Sequence, residues 1–312
     1  MTTPLRILLG PQNPERNVGT VIAGADIPDG PLAVISAGWQ EAEGDLAELA
    51  ALVERPLVEL GLYQRAEAVM QADPELAAAH RQRQDELKER QRLYRLRLRS
   101  LALAARRLQG IDGNSDTLVA ERRHAVKQLR ALDRHHLKQC EARHGDFADA
   151  VSLTKRASIR EQVEQIDERL AGCVAVIITG GNVGILINRL RLFGLEALLA
   201  DRPVIAWSAG AMAITRRIVL FHDRMPQGRR DAELFGDGLN LVPGVVAMPD
   251  ARHRLRTDAP RRNALTARRF SPDTCLTLNN GSAVTWQDDR IVAVNGARRI
   301  DRNGRLGRVR AA

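Results

Sequence analysis

Ser208 stands where an apolar segment meets a run of small residues. Residues 204–207 are typical of a buried strand, and Ala209 and Gly210 open a helix directly after the serine. A serine on such a sharp turn exposes its hydroxyl, and small neighbours relieve the crowding there. The N–H of Ala209 would then point at a developing oxyanion. The same spacing is equally typical of a tight turn with a packed or capping serine, so spacing alone leaves both interpretations open.

A second candidate element is the loop that contains Gly180, Gly181 and Asn182, which follows the apolar segment 173–178. Glycine lets backbone amides approach a ligand closely, and ligands bind at the carboxyl ends of neighbouring strands in an open parallel sheet. We therefore expect this loop to lie beside Ser208. Gly180 or Gly181 would supply a second oxyanion donor, and Asn182 would face the substrate.

His136, Cys140 and His144 recur at the i, i+4 and i+8 positions of one helical stripe, a spacing that metal ligands use. A structural zinc site requires four ligands, however, and Gly145 predicts that the helix ends near His144. We interpret the stripe as solvated or partner-facing. The sequence predicts no metal and no cofactor.

Composition excludes several classes of protein. The chain has 312 residues, of which 44% are hydrophobic, so disorder is not expected. No apolar run approaches the roughly 20 residues of a membrane helix, and no signal peptide is visible. The three cysteines, Cys140, Cys173 and Cys275, lie too far apart in sequence to form a disulfide framework. These features predict a cytoplasmic protein with no membrane partner.

The positive charge of the chain is unevenly distributed. The net charge is +9 overall, and residues 251–312 alone carry +9, whereas residues 1–64 carry −6. Arginine accounts for 43 of the 47 basic residues, and only 3% of all residues are aromatic. No nucleic-acid-binding motif or interleaved aromatic pattern accompanies the charge. Nucleic acid is therefore not an expected partner, and binding through the Arg-rich tail is kept only as a third hypothesis.

The elements that must position these residues follow an alternating pattern. The opening of the chain predicts a strand, a short helix, a second strand and a second helix, which is typical of a parallel sheet. The pattern resumes at residue 173 after an interruption of about 100 residues, and residues 300–312 are expected to fray. The predicted strands and helices outside the interruption are 5–9, 18–23, 32–36, 46–60, 173–178, 185–193, 204–207, 239–246, 276–278, 283–286 and 291–294.

The interruption predicts a helical hairpin or small bundle that projects from the α/β body. Three helices are expected, over 74–108, 116–143 and 147–170, with Asp116 as a cap and Gly145 as a break. The first helix carries apolar residues at coiled-coil spacing. This seam would form the core of the hairpin or a contact with a second copy, and it consists of Leu87, Tyr94, Leu98, Leu101, Ala105 and Leu108.

Four sequence segments together resemble the dipeptidase E and cyanophycinase family of serine peptidases, which has a class I glutamine-amidotransferase-like fold. They are 179–182, 186–195, 206–211 and 238–244. The resemblance is loose over residues 1–62 and firmer over 172–295. It implies a three-layer α/β body with a mostly parallel sheet, formed by residues 1–64 and 171–312. Residues 65–170 would be a large coiled-coil-like helical insertion without a family counterpart.

The resemblance implies a triad of serine, an acidic residue and histidine. Ser208 matches the nucleophile and Asp223 falls near the acidic position, but Asp250 stands where the family has its histidine. A serine without a base is a poor nucleophile at neutral pH. Three hypotheses remain open: His253 is the base, His222 is the base, or the site is degenerate. His222 would not pair with Asp223, because adjacent residues of an extended segment point apart.

Two functions follow from these hypotheses. The first is a serine hydrolase acting on a small peptide or amide of aspartyl or acidic type, with Arg252, Arg254 and Arg256 available to hold the acidic group. The second is a catalytically silent amidotransferase-like scaffold whose helical arm binds a protein partner or a second copy. The sequence does not identify the substrate, the base or the oligomeric state.

Overall fold

The computed structural model describes residues 3–221 and 231–311, and its centre is a seven-stranded sheet. In spatial order the strands are β11 (Arg290–Asn295), β10 (Ala283–Gln287), β1 (Arg6–Leu9), β5 (Val204–Trp207), β4 (Ala175–Ile178), β2 (Leu32–Ile35) and β3 (Leu57–Glu59). The five strands from β1 to β3 are parallel, and β10 and β11 add an antiparallel edge. Every residue of β1, β2, β4 and β5 is buried, as parallel strands require.

Helices cover both faces of this sheet. One face packs on α1 (Val18–Ala23) and α2 (Ala47–Val53). The opposite face packs on α3 (Leu62–Ala72), α6 (Ala157–Ala171), α7 (Val183–Leu192), α8 (Leu195–Leu199) and α9 (Ala209–Ile214). Alternate strand residues serve the two layers, so that Ile7 and Leu9 face one side and Leu8 the other. The predicted three-layer α/β class with a mostly parallel sheet is confirmed.

A second sheet lies later in the chain. Its strands, in spatial order, are β13 (Leu306–Arg308), β12 (Arg298–Ile300), β9 (Thr274–Leu278) and β8 (Val245–Pro249). A separate antiparallel pair is formed by β6 (Arg217–Leu220) and β7 (Glu233–Asp237), and the remaining short helices are α10 (Ala251–Arg254) and α11 (Pro260–Phe270). The expectation that residues 300–312 fray is wrong, since β12 pairs with both β9 and β13 and Ile300 is buried.

Two predicted elements near the sheet were also wrong. The helix expected over 46–60 ends at Val53, because Pro56 cannot continue it, and the apolar residues after it form β3. The strand expected over 239–246 is divided by Pro243, and only its last residues belong to β8. In both places a proline interrupts a run whose apolar spacing looked continuous.

The interruption contains two long helices, α4 (Pro74–Gly110) and α5 (Asp116–Ala150), which form an antiparallel hairpin. Gly145 does not break α5, although glycine costs about 1 kcal/mol relative to alanine in a helix. The burial of Phe147 against the main core offsets that cost. The N-cap of α5 is Ser115, whose hydroxyl accepts the Leu118 N–H, and not Asp116. Across the described ranges, no helix is long and apolar enough to span a membrane.

The hairpin does not project from the body as expected. Tyr94, Leu98 and Ala105 of the predicted seam share one core with α11 and the second sheet, including Met248 and Phe270. The predicted projecting arm therefore packs on its own chain, because the surface of the body beneath it is itself apolar. Leu101 and Leu108 pack at the edge of this core, and Leu87 is half-buried.

A buried polar network joins the hairpin to α11. Arg269 donates to both carboxylate oxygens of Asp133, at 2.7 Å from Nε and 2.6 Å from Nη2. Tyr94 donates its hydroxyl proton to Asp133 Oδ1 at 2.9 Å and accepts the Leu234 N–H at 3.0 Å. Both charged side chains are 4% exposed, so the ion pair lies away from water. The network fixes how the hairpin sits on the body.

Candidate active site

The turn at Ser208 has an unusual backbone conformation. β5 ends at Trp207, α9 begins at Ala209, and Ser208 between them has φ 50° and ψ −114°. Residues other than glycine rarely adopt a positive φ, and such strain is concentrated at functional sites. The Ser208 side chain makes no capping hydrogen bond to α9, so the interpretation as a capping serine is wrong. The geometry is that of a strained strand-to-helix turn that presents a hydroxyl.

Close packing after the serine explains why the turn needs small residues. A Cβ atom at Gly210 would lie 2.4 Å from the Ile178 carbonyl oxygen and 2.7 Å from that of Thr179. The first turn of α9 therefore presses directly on the end of β4. The Ser208 N–H donates to the Leu9 carbonyl at 3.3 Å, which fixes the turn against β1.

The predicted glycine loop lies beside this turn. A Cβ atom at Gly180 would approach Ser208 Cβ to 3.1 Å. Gly181 has φ 101°, and a Cβ there would lie 2.2 Å from the Gly38 carbonyl oxygen. The Asn182 N–H donates to the same Gly38 oxygen at 2.8 Å. The expected proximity of the two motifs is thus present, and only glycine fits the loop at Gly181.

The side chain of Asn182 has a local partner. Its Oδ1 accepts the N–H groups of Gly184 at 3.0 Å and Ile185 at 3.1 Å, which caps the start of α7. In the described part of the chain, the N–H groups of Gly181 and Ala209 have no hydrogen-bond acceptor. These two amides remain available to an anionic oxygen. Asn182 holds the loop in place.

Ser208 opens onto a depression of about 340 Å³. Its walls include Gly180 and Gly181, as well as Arg16 and Trp39, which sequence analysis missed. Arg16 forms an ion pair with Glu48 at 2.8 Å. Arg16 lies in the loop after β1, and Trp39 lies in the 3₁₀ helix Ala37–Ala42 after β2. Their position at the carboxyl ends of these strands, the ligand-binding edge of the sheet, was the signal that could have identified them.

His253 pairs with Asp250, which stands where the resemblance implies a histidine. Its Nδ1 lies 2.6 Å from Asp250 Oδ1, and Asp250 adopts a left-handed conformation with φ 57° directly after β8. The His253 side chain is 73% exposed and does not line the Ser208 depression. Asn279 connects the two regions: its side chain accepts the Arg252 N–H at 2.8 Å, and its carbonyl packs against Gly10 after β1.

The other two predicted triad residues, His222 and Asp223, lie outside the described residues. Among residues 3–221 and 231–311, no histidine lines the depression at Ser208. The structure therefore brings together the serine and the two elements predicted to bind an oxyanion, and neither His253 nor Asp250 lines their depression.

The histidine stripe of α5 is not solvated as expected, since His136 and Cys140 are buried and His144 is half-buried. His136 stacks on Tyr94 with ring centroids 4.2 Å apart, and burial lowers its pKa to about 4. Cys140 Sγ lies 3.7 Å from His136 Nε2, and His144 Nε2 accepts a hydrogen bond from Arg191 at 2.9 Å. Within the described ranges, no cluster of three or more histidine, cysteine or acidic side chains could hold a metal ion. The stripe instead contributes to the contact between the hairpin and the body.

Comparison with known proteins identifies relatives of the chain. Residues 139–294 match the model of peptidase family S51. A crystal structure of a peptidase from an acI-B1 Actinobacterium is similar with a TM-score of 0.44 at 9% identity, covering 96% of this chain and 92% of its own. A putative peptidase E protein from Listeria monocytogenes EGD-e has a TM-score of 0.42 at 11% identity, covering 96% and 100%. No curated protein matches significantly. The family match begins inside α5, so part of the region expected to lack a counterpart has one.

Proposed function

The chain belongs to peptidase family S51, whose model matches half of its length, and from this premise we propose that it hydrolyses small acidic peptides with Ser208 as nucleophile. The observation that carries the proposal is the backbone of Ser208, with φ 50° and ψ −114° at the junction of β5 and α9. A fold stores strain at a serine when the turn must present the hydroxyl to a substrate.

In the proposed reaction, Ser208 Oγ attacks the substrate carbonyl carbon while a base takes the hydroxyl proton. The carbonyl oxygen becomes an oxyanion and accepts hydrogen bonds from the Gly181 and Ala209 N–H groups, with Gly180 next to them. The base then gives its proton to the leaving amine, and an acyl-serine forms. Water, deprotonated by the same base, attacks the ester and regenerates Ser208.

We assign the base to His253 and its orientation to Asp250. The carboxylate of Asp250 accepts the Nδ1–H of His253, which leaves Nε2 to take the serine proton. Because His253 is exposed, α10 must carry it toward Ser208 when substrate binds, and catalytic hydrogen bonds often tighten only in the complex. His222 is the alternative base. The resemblance implies Asp223 as the orienting residue, and in our proposal Asp250 takes that role.

The substrate class follows from the charges around the depression. Arg252 lies exposed beside Asn279 and can pair with a carboxylate, whereas Arg16 in the wall of the depression is already paired with Glu48 at 2.8 Å. Arg254 and Arg256 already have acidic neighbours, at 3.5 Å and 3.9 Å respectively. We therefore propose that Arg252 holds an aspartyl-type side chain of a short peptide.

A serine-directed fluorophosphonate probe tests the proposal. We expect the wild type to be labelled, Ser208→Ala to be unlabelled, and the control Ser100→Ala, at an exposed position of α4, to be labelled like the wild type. Loss of labelling in His253→Ala and Asp250→Asn would support the assigned base. Labelling that survives in both but disappears in His222→Ala would move the base to His222. A folded wild type that resists saturating probe would refute the hydrolase proposal.

A second candidate is the catalytically silent scaffold whose hairpin binds a partner or another copy. Two observations favour it: the described histidines lie outside the depression, and the outer face of α4 exposes three leucines. These are Leu93 at 45%, Leu96 at 65% and Leu103 at 44% exposure. An inert wild type that forms an oligomer in light scattering, with Leu96→Glu monomeric, would support this candidate. A monomeric wild type would oppose self-association.

The same proposal divides the chain and places it in the cell. Residues 1–64 and 171–312 form the peptidase-like body, and residues 65–170 form the helical insertion that packs on it. Cys140, Cys173 and Cys275 are all buried and unpaired, which supports a reducing compartment such as the cytoplasm.

A further inference from the structure

A large cavity lies between the hairpin and the body, apart from the Ser208 depression. Its volume is about 650 Å³, and its walls come from α4, the second half of α5, α7 and β7. The two cavities have no lining residue in common within the described ranges. The loop between them contributes Gly180 and Gly181 to one side and Asn182 and Gly184 to the other.

The cavity walls are strongly basic. Only one acidic side chain, Asp85, belongs to the described lining. The basic side chains of the lining are Arg81, Arg83, Lys88, Arg95, Arg189 and Arg191.

Three of these cations are neutralised by a carboxylate. Lys88 pairs with Asp85 at 2.9 Å, Arg95 with Glu233 at 2.6 Å and Arg189 with Glu67 at 2.6 Å. The basic lining side chains outside these three pairs are Arg81, Arg83 and Arg191.

Arg83 and Arg191 form no ion pair with a carboxylate in the part of the chain that the structure describes. Arg83 is only 5% exposed, and its contacts are Asn188 Oδ1 at 3.5 Å and the Phe147 ring at 4.1 Å. Arg191 donates to the Asp237 backbone carbonyl and to His144. The Asp237 carboxyl attracts Arg191 from a greater distance. A buried guanidinium without a counter-charge is costly, so Arg83 calls for an anion.

The hydrogen-bonding groups of the cavity, like its charges, indicate an anionic ligand. Burial and the neighbouring Arg191 lower the pKa of His144 to about 3, so this imidazole is neutral at pH 7. Since its Nε2 accepts from Arg191, its proton is on Nδ1, which has no acceptor among the described residues. The Nε atoms of Arg83 and Arg189 also lack acceptors there. Three nitrogen donors of the lining residues are thus buried without an acceptor in the described part of the chain.

We propose that this cavity binds a small molecule that carries at least two negatively charged oxygens, on a phosphate or on paired carboxylates. Arg83 and Arg191 would be its principal ligands, because a guanidinium binds either group through two parallel hydrogen bonds. The volume is that of a typical small-molecule site. Leu87, Ile185 and Phe235 offer apolar wall for the remainder of the molecule.

Thermal unfolding and titration calorimetry with two probes, inorganic pyrophosphate and citrate, test the proposal against sodium chloride of equal ionic strength. We expect at least one probe to raise the unfolding midpoint saturably. Arg83→Gln should weaken binding about ten- to a hundredfold, the loss of one charged hydrogen-bonding group. The probe that binds more tightly identifies phosphate or carboxylate as the preferred group.

Two further variants keep the test decisive. Lys88→Glu reverses a charge at the cavity on a side chain that is 76% exposed, so the protein should fold and bind both probes more weakly. Arg99→Gln, on the exposed face of the same helix, should bind like the wild type. If Arg83→Gln does not fold, Lys88→Glu decides alone. The proposal is overturned if neither probe acts beyond sodium chloride, or if the folded cavity variants bind as tightly as the wild type.

Discussion

Replacing Ser208 by glycine and by alanine separates backbone strain from chemistry at the active-site turn. Both variants lose Oγ, and both should therefore lose fluorophosphonate labelling. Only glycine adopts φ 50° and ψ −114° without steric cost, because it has no Cβ. We expect the glycine variant to be the more stable of the two.

The size of the difference follows from two opposing contributions. A non-glycine residue in a sparsely populated region costs about 1 to 3 kcal/mol. Glycine lowers this advantage in folding free energy by about 0.5 to 1 kcal/mol, because the unfolded glycine variant has more conformational freedom to lose. Ser208→Gly should therefore be up to about 2.5 kcal/mol more stable than Ser208→Ala.

Urea unfolding at pH 7 measures this difference as a change in midpoint at constant slope. The same pair of substitutions at Ser100, in the exposed middle of α4, is the matched control. There the order should reverse, with glycine about 1 kcal/mol less stable than alanine. A glycine variant at Ser208 that is less stable than its alanine counterpart would refute the argument that the turn is strained.

Three further predictions concern the hairpin and the serine turn. Asp133→Asn leaves Arg269 buried without a counter-charge and should cost about 3 to 5 kcal/mol in chemical unfolding, whereas the exposed Asp85→Asn should cost less than about 1 kcal/mol. Gly210→Ala forces a methyl group onto the end of β4, so labelling of the serine should fall sharply even where circular dichroism shows a folded chain. The pKa of His136 is about 4 in the folded state, below its ordinary value, so the unfolded chain binds the proton first and stability should fall as the pH drops from about 6.5 towards 4. His136→Phe should reduce that pH dependence when the free energy of unfolding is measured in urea at pH 7 and at pH 5. The same loss of stability between the two pH values in this variant as in the wild type would contradict the role given to His136.

Sequence patterns predicted the elements whose signals are local. α1 and β5 begin and end at the predicted residues, because both are bounded by polar or small residues that end an apolar run. The serine turn and the glycine loop were also placed together correctly, since parallel strands bring their carboxyl ends to one edge of the sheet.

The sequence did not show which distant surfaces meet. The seam containing Tyr94 has the same spacing whether it faces another chain or its own body, and only the fold places Phe270 against it. Arg16 and Trp39 are single residues in short connections after strands and have no periodicity to mark them. Ile300 lies in an Arg-rich tail, and its pairing partner in β13 could not be recognised from composition.

The core that α4 and α5 share with the second sheet makes the body depend on the hairpin for its own burial. Met248 and Phe270 of the body are buried in the same cluster as Leu98 of the hairpin. Deleting the helices would therefore expose an apolar patch of the body to water. The body therefore depends on α4 and α5 to cover its own apolar surface, and deleting them should lower its stability and its solubility.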